Sequence, residues 1–346
     1  MSDPGCRGVT RVRRALRAST ATARGSILRR VKIAHLSDLH LLSLDGAVPF
    51  RLFNKRLTGY LNLRFHRKSV HKPFAVHAAA REIRRLGIDH VVITGDLSNL
   101  ALEGEFELVR RFLDKELGLP PDQISIIPGN HDAYTSGSHR TRRFATTFAR
   151  YLTSDLPELT APGEVFPYVH LRGPTALIGL STARPRLPLV ASGTLGHEQL
   201  AALTRILAHP EVVARTPVIL QHHPIHNPTS RAKTALEGLS DADEEAHILR
   251  RVRRGLLLHG HLHRRIHRTL ATQGGHLDAI GATSAGPAST STRSAATAAS
   301  RTSHRSAWSS PARPCARSAC RSRADVASRR AVKSGRRRDG AAPASR

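Results

Sequence analysis

Cysteine, methionine and tryptophan are scarce in this 346-residue chain, which contains three, one and one of them. The cysteines, Cys6, Cys315 and Cys320, all lie near the chain ends, so disulfide bonds cannot hold the middle together. The middle must therefore fold on an apolar core, and this cysteine usage fits a reducing compartment such as the cytoplasm. The length excludes a miniprotein and allows one large domain or two modest ones.

Long apolar runs are missing as well. No stretch approaches the roughly 20 apolar residues of a membrane-spanning helix, and the N-terminus lacks the apolar segment of a secretory signal. We therefore expect a cytoplasmic protein. Residues 1–30 hold eight arginines and one acidic residue. They resemble an organelle transit peptide, but a disordered basic leader or an over-extended gene start explains them more simply.

Acidic residues are outnumbered by basic ones, 26 to 54, which gives a formal net charge of +28. Much of this excess lies in residues 285–346, which hold fourteen basic and two acidic residues and almost no large apolar ones. We predict a leader at 1–30, a folded domain at 31–284 and a disordered tail at 285–346. The tail could bind nucleic acid incidentally through phosphate contacts, or it could be the product of a frameshift in a GC-rich gene.

Between residues 31 and 284, short apolar runs alternate with segments of helical period, a pattern that indicates an α/β protein with a buried sheet. The predicted strands cover residues 31–36, 91–94, 124–127, 168–171, 176–180, 218–220, 256–258 and 277–280. The predicted helices cover residues 73–86, 103–117, 138–152, 196–208 and 241–252.

Polar clusters able to bind metal ions follow most of the predicted strands. These clusters are Asp38 with His40, Asp96, Asn130 with His131 and Asp132, His222 with His223, and His261 with His263. Ligand sites in such sheets lie beyond the carboxyl ends of the strands, so we expect the clusters to form one site. Carboxylates, imidazoles and a carboxamide without a thiolate favour a divalent ion of Mn, Fe or Zn over a structural zinc site of the cysteine type.

The clusters, in this order and spacing, resemble those of the calcineurin-like metallophosphoesterases, particularly a bacterial branch that includes cyclic-nucleotide phosphodiesterases. The resemblance implies an α/β fold, a two-layer β-sandwich flanked by helices, with two metal ions. It implies that the first ion is bound by Asp38, His40 and His263, the second by Asn130, His222 and His261, and both by Asp96. It also implies that His131 faces the substrate phosphate, with Asp132 helping to orient its imidazole.

The implied activity is hydrolysis of a phosphate-ester substrate, a phosphodiester or a phosphomonoester, by a hydroxide that bridges the two metal ions. Two such ions can acidify one water and hold the phosphoryl oxygens for in-line displacement, and His131 is suited to protonate the leaving group. Two alternatives are a phosphatase or pyrophosphatase for lipid-linked or membrane-associated phosphates and a non-specific nucleic-acid-binding protein that uses the basic tails.

Adjacent histidines leave one ligand undecided. His222 and His223 point to opposite sides if the strand continues through them. The pattern His-x-Pro favours His222, by resemblance to the family, and would leave His223 beside the ligands or the substrate.

A basic insertion at residues 46–72 contains Phe53, Leu57, Tyr60 and Leu61 at the spacing of one helical face. Such a helix could pack on the core, cover the metal site as a lid, bind an acidic substrate, or contact an anionic membrane from the cytoplasmic side.

A chain reduced to residues 32–286 is expected to keep most of its activity on a small phosphodiester, because every predicted ligand lies between Asp38 and His263. Its affinity for non-specific DNA should fall and become less dependent on salt, since about two thirds of the net charge is gone. Fluorescence anisotropy at several salt concentrations, with the full chain as reference, measures this. An unchanged affinity would show that residues 32–286 carry the nucleic-acid surface.

Overall fold

The structure is a computed structural model that describes residues 31–43, 73–133, 135–187, 190–227 and 230–284. The predictions made for residues 1–30, 46–72 and 285–346 fall outside these described residues. A small sheet contains three parallel strands in the order β1 (Ile33–Leu36), β2 (His90–Thr94) and β3 (Ile124–Ile127).

A larger sheet contains six strands. Their order across the sheet is β4 (Tyr168–Arg172), β5 (Thr175–Gly179), β6 (Thr216–Leu220), β7 (Arg254–His259), β9 (Gly275–Gly281) and β8 (Ile266–Thr272). The four central strands are parallel, and the two edge strands, β4 and β8, run antiparallel to their neighbours. This arrangement places the carboxyl ends of β5, β6 and β7 at one edge of the sheet.

Helices flank the two sheets. They are α1 (Pro73–Leu86), α2 (Glu103–Arg111), α3 (Ser136–Arg140), α4 (Arg143–Thr147), α5 (His197–Ala208), α6 (Pro210–Val213), α7 (Arg231–Glu237) and α8 (Ala242–Leu249). Helix α2 continues into one π-helical segment, Phe112–Glu116. The two sheets and their helices confirm the predicted fold class. No helix in the described ranges is long and apolar enough to cross a membrane.

Along the central strands of the larger sheet, successive side chains point alternately into two different apolar cores. In β6, Val218 and Leu220 pack in the cluster that also contains the strands of the small sheet. Ile219, between them, points to the opposite face, where it packs with Leu203 of α5 and Leu249 of α8. Because successive side chains of a strand face opposite sides, continuous apolar runs are required where both faces are covered.

The predicted helices and strands agree with the observed ones except in four places. Strand β8 was missed because its sequence is mostly exposed and polar, as expected at a sheet edge. The predicted helix at 138–152 is interrupted at Arg142, whose φ of 50° is left-handed, and it forms α3, α4 and a short 3₁₀ turn instead. Helices α6 and α7 were not predicted.

A buried acid in α8 makes the stability of the fold depend on pH. Burial of Glu245 raises the pKa of its carboxyl from 4.5 to about 8, and its Oε2 accepts a hydrogen bond from Gln221 Nε2 at 3.1 Å. The native protein thus keeps a proton that the unfolded chain releases above pH 4.5. The contribution of Glu245 to the free energy of unfolding therefore falls as the pH rises from about 4.5 to about 8.

Glu245→Gln is expected to make the slope of unfolding free energy against pH less negative in this interval, because glutamine has no proton to retain. Urea denaturation between pH 5 and pH 8 measures the slope. Glu244→Gln, at an exposed neighbouring position, is the matched control and should leave it unchanged. An unaltered slope in Glu245→Gln would contradict the raised pKa.

Candidate metal centre

Loops from both sheets meet at the carboxyl ends of the parallel strands. In the small sheet, the Asp38 N–H donates to the Gly95 carbonyl at 3.0 Å, and the His40 N–H donates to the Asp96 carbonyl at 2.9 Å. The larger sheet joins them through His222, whose Nδ1 donates to the Thr94 carbonyl at 2.8 Å. The clusters predicted to converge therefore do lie together, because both sheets present the same end of their strands.

Four side chains form a compact group of nitrogen and oxygen donors: Asp38, His40, Asp96 and His263. One donor atom from each lies within 4.8 Å of all the others. Asp38 Oδ1 is 3.2 Å from His263 Nε2, and the Nε2 atoms of His40 and His263 are 3.4 Å apart. Two facing imidazole nitrogens can both use their lone pairs if a cation lies between them. The donor set fits Mn, Fe or Zn.

A second group lies on the other side of Asp96. His222 Nε2 is 3.1 Å from Asn130 Oδ1 and 3.3 Å from Asp96 Oδ2. The His261 ring centre lies 5.2 Å from that of His222. Asp96 Oδ2 is also 3.8 Å from His40 Nε2, so a single carboxylate contacts histidines of both groups. This is the placement that a ligand shared by two ions requires.

Electrostatics keeps the two acids of the centre ionised. Burial alone would raise the pKa of Asp96, but the charges of His222 and His131 hold it well below its ordinary value. Burial of Asp38 is outweighed by a hydrogen bond and charge from His263, which lower its pKa to about 2. Burial lowers the pKa of His222, yet Asp96 raises it to about 9. The site therefore favours a positive charge beside Asp96.

Two other histidines are kept neutral. Burial lowers the pKa of His261 to about 4 and holds that of His40 well below its ordinary value. Neutral imidazoles and ionised carboxylates are the forms that bind metal ions. The chemistry of the residues present therefore fits a divalent cation.

The backbone of the centre is strained. Left-handed φ angles occur at Asp38 (54°), His40 (47°), Asp96 (51°), His261 (69°) and His263 (51°), five of the seven such non-glycine residues in the described ranges. Each costs on the order of 1–3 kcal/mol and persists only where the surroundings hold it. Cross-loop hydrogen bonds such as that from the His261 N–H to Asp38 Oδ2 at 3.2 Å hold these turns.

Glycines allow the loops to approach each other. A Cβ on Gly95 would lie 2.6 Å from the Gly129 nitrogen and 2.7 Å from His222 Nδ1. A Cβ on Gly260 would collide with Ser37 and lie 2.7 Å from Asp38 Oδ2. No side chain fits at either place without moving a candidate ligand.

The sequence suggested that Asp132 helps to orient the imidazole of His131. The described contact of this ring is to a backbone carbonyl. Its Nδ1 donates to the Asn99 carbonyl at 2.7 Å, and its N–H donates to Asp96 Oδ1 at 2.8 Å. The Asp132 carboxylate instead accepts hydrogen bonds from Ser98 N at 2.9 Å and Gly129 N at 2.9 Å. Asp132 therefore joins the loops after β2 and β3, and its part in orienting the His131 imidazole stays a prediction.

The contacts of His223 bear on the undecided ligand. Its Nδ1 accepts from the Thr182 hydroxyl at 2.7 Å, and its Nε2 donates to the Ala191 carbonyl at 2.8 Å. Both nitrogens are thus engaged by protein groups, whereas His222 Nε2 faces Asn130 and Asp96. These contacts favour His222. Sequence reasoning missed Asn99, Thr182 and Ala191, because the groups they contribute are ordinary backbone carbonyls and one hydroxyl.

A family model and several solved structures are similar to this chain. The family model described as calcineurin-like phosphoesterase matches residues 31–265. A dimetal phosphatase from Danio rerio is 15% identical, with 74% of this chain and 88% of that chain covered and a TM-score of 0.49. A purple acid phosphatase from yellow lupin is 12% identical, with 74% of this chain and 44% of that chain covered and a TM-score of 0.47.

A phosphopantetheinyl hydrolase from Mycobacterium tuberculosis is 14% identical, with 75% of this chain and 92% of that chain covered and a TM-score of 0.35. No curated protein matches the chain significantly. The family match spans more than half of the chain and includes all the clustered side chains. The chain therefore belongs to the calcineurin-like phosphoesterases and is a metal-dependent phosphoric ester hydrolase.

Proposed function

We propose that the chain hydrolyses phosphodiesters at a dinuclear metal centre. The observation that carries this proposal is the position of Asp96 Oδ2, 3.8 Å from His40 Nε2 in one donor group and 3.3 Å from His222 Nε2 in the other. The preference for diesters over monoesters rests on the sequence resemblance to the branch that includes cyclic-nucleotide phosphodiesterases.

In this proposal each ion is held by its own donor group, with Asp96 shared. Asp38, His40 and His263 would hold one ion, and Asn130, His222 and His261 the other. Bound there, two divalent ions of Mn or Fe, or of Zn, would supply Lewis acidity and lower the pKa of a water towards neutrality. Asn130 is a neutral ligand, so it limits the negative charge that an anionic substrate meets.

His131 would act on the substrate. The hydrogen bond from its Nδ1 to the Asn99 carbonyl fixes the ring and its tautomer. When both ring nitrogens carry protons, Nε2 is then the atom from which the ring can donate a proton to the leaving oxygen. Asn99 and Asp132 would act as positioning residues, since neither is proposed to touch the substrate.

Two other roles stay open to experiment. A phosphatase or pyrophosphatase acting on lipid-linked phosphates is favoured by the basic segment 46–72, which could contact an anionic membrane. Binding of nucleic acid is favoured by the charge of the tails. In both cases we propose a cytoplasmic protein, at the membrane surface in the first.

The substrate class can be tested on chelator-treated protein to which Mn²⁺ is added back. We expect phosphodiesters, including cyclic nucleotides, to have a higher kcat/KM than phosphomonoesters and lipid phosphates. Faster turnover of monoesters or lipid phosphates would contradict the proposed preference. A protein indifferent to Mn²⁺ for all esters would contradict metal-dependent hydrolysis.

Asp96→Ala is expected to remove both bound metal and activity, because both donor groups lose their shared carboxylate. Elemental analysis after loading with Mn²⁺ measures the metal content. Asp243→Ala, an exposed carboxylate on α8, is the control and should bind as much metal as the wild type. Two retained equivalents in Asp96→Ala would exclude the bridging role.

His131→Ala is expected to keep its metal but to lose turnover by roughly 10²-fold, the usual contribution of a positioned acid or base. Metal content and kcat are measured on the same preparation. His247→Ala, on the exposed face of α8, should behave as the wild type. Loss of metal from His131→Ala would mean that this histidine is a ligand.

A further inference from the structure

A separate pocket of about 560 Å³ adjoins the metal centre. Asp132 and Ala133, which line it, directly follow His131, and two residues span at most about 7 Å. On its other side the pocket is lined by the segment that leaves the carboxyl end of β5, where Thr182 contacts His223 at 2.7 Å. The pocket therefore opens at the same edge of the sheets as the candidate metal ligands.

The walls of this pocket suit an organic group. Phe144, Phe166 and Ala183 contribute apolar surface, and Phe144 and Ala183 are themselves buried. Its volume is within the usual range for small-molecule sites, in which apolar walls carry a few oriented polar groups. The part of a phosphoester that extends from the phosphate could thus be sheltered here.

Arg184, which lines this pocket, has no counter-charge among the described residues. Arg184 is half-buried, and its Nη1 lies 3.4 Å from His139 Nε2. Within the described ranges no carboxylate pairs with Arg184, whereas Arg142 is 3.9 Å from Glu164. Burial, with the charge of Arg184 second, lowers the pKa of His139, so the imidazole can accept a hydrogen bond from the guanidinium.

The pocket also contains other charges. Arg140 lies on α3, and Glu198 lies in the first turn of α5. Neither forms an ion pair with Arg184 in the described structure, and Glu164 is directed towards Arg142. Arg140 is exposed, whereas Arg184 is half-buried and contacts His139, so the guanidinium of Arg184 is the group in this pocket best placed to bind an anion from outside the protein.

We propose that Arg184 binds a second anionic group, a phosphate or a carboxylate, carried by the organic part of the substrate. His139 acts as a positioning residue for the guanidinium, and the wall formed by Phe144 and Phe166 packs against the organic part. The inference rests on the proposed phosphoester hydrolysis and specifies its substrate class: esters with a further negative charge beyond the scissile phosphate.

Two matched esters test this inference. Thymidine 5′-(4-nitrophenyl phosphate) and its 3′-phosphorylated form release the same nitrophenolate and differ in one anionic group. With the Mn²⁺-loaded wild type, kcat/KM should be at least about tenfold higher for the 3′-phosphorylated ester, as expected for a charge-assisted hydrogen bond. The gain should appear mainly in KM, because this contact does not change during the reaction.

Arg184→Met should abolish this preference and leave hydrolysis of the unphosphorylated ester within about twofold of the wild type. Arg184→Lys should retain part of the preference, since the charge remains but the fork of donors is lost. Arg205→Met is the matched control, because Arg205 is exposed near the far end of α5. It should preserve the full preference, which separates local binding from a general loss of positive charge.

Three outcomes would overturn the inference: no preference in the wild type, equal losses on both esters in Arg184→Met, or the same loss in Arg205→Met. Phenyl phosphate and 4-carboxyphenyl phosphate repeat the comparison if the enzyme prefers monoesters. If no ester is hydrolysed, the proposed function itself fails. Calorimetric titration of wild type and Arg184→Met with thymidine 5′-phosphate and thymidine 3′,5′-bisphosphate then decides the anion site, and equal affinities would reject it.

Discussion

The buried carboxylate of Asp96 connects the small sheet with the larger sheet. It follows β2 of the small sheet, yet its Oδ2 lies 3.3 Å from His222 Nε2 at the end of β6 in the larger sheet. Its Oδ1 accepts the N–H of His131, from the loop after β3, at 2.8 Å. An ionised carboxylate in this setting requires positive charge around it. The surrounding histidines meet that requirement in part, and a cation bound there would add to it. This one carboxylate thus contacts loops from both sheets.

The centre is built by backbone conformations that are unfavourable in isolation. Asp38 and Asp96 adopt left-handed φ angles of 54° and 51°, and Gly95 and Gly260 leave no space for a side chain. Such strain is retained because the hydrogen bonds of neighbouring loops hold it, notably those accepted by Asp132. Ligands placed on strained turns at strand ends are held rigidly by the sheets, and this rigidity fixes the distance between the two donor groups.

The pocket next to the centre is built largely by other segments than those that carry the candidate metal ligands. The candidate ligands lie in the loops after β1, β2, β3, β6 and β7. The pocket is lined mainly by α3, α4, the first turn of α5 and the segment after β5, together with the end of the loop after β3. Under the proposal, Arg184 in the segment after β5 would recognise the organic part of the substrate without contacting a candidate ligand.

The strands and the candidate ligands could be predicted because both depend on local sequence. Apolar runs such as 124–127 are typical of buried strands. The residue types of Asp38 with His40, and of His261 with His263, indicate a metal site.

The features that could not be predicted depend on partners distant in the chain. Strand β8 pairs with its neighbour and has no continuous apolar face, and the contacts that favour His222 over His223 come from distant parts of the chain. The ring of His131 is held by the backbone of Asn99, and every residue has a carbonyl, so no sequence pattern marks that contact. The sequence by itself determined which chemical groups are present at the strand ends. Only the tertiary structure decided which of them meet, because the two sheets bring together atoms that the chain keeps far apart.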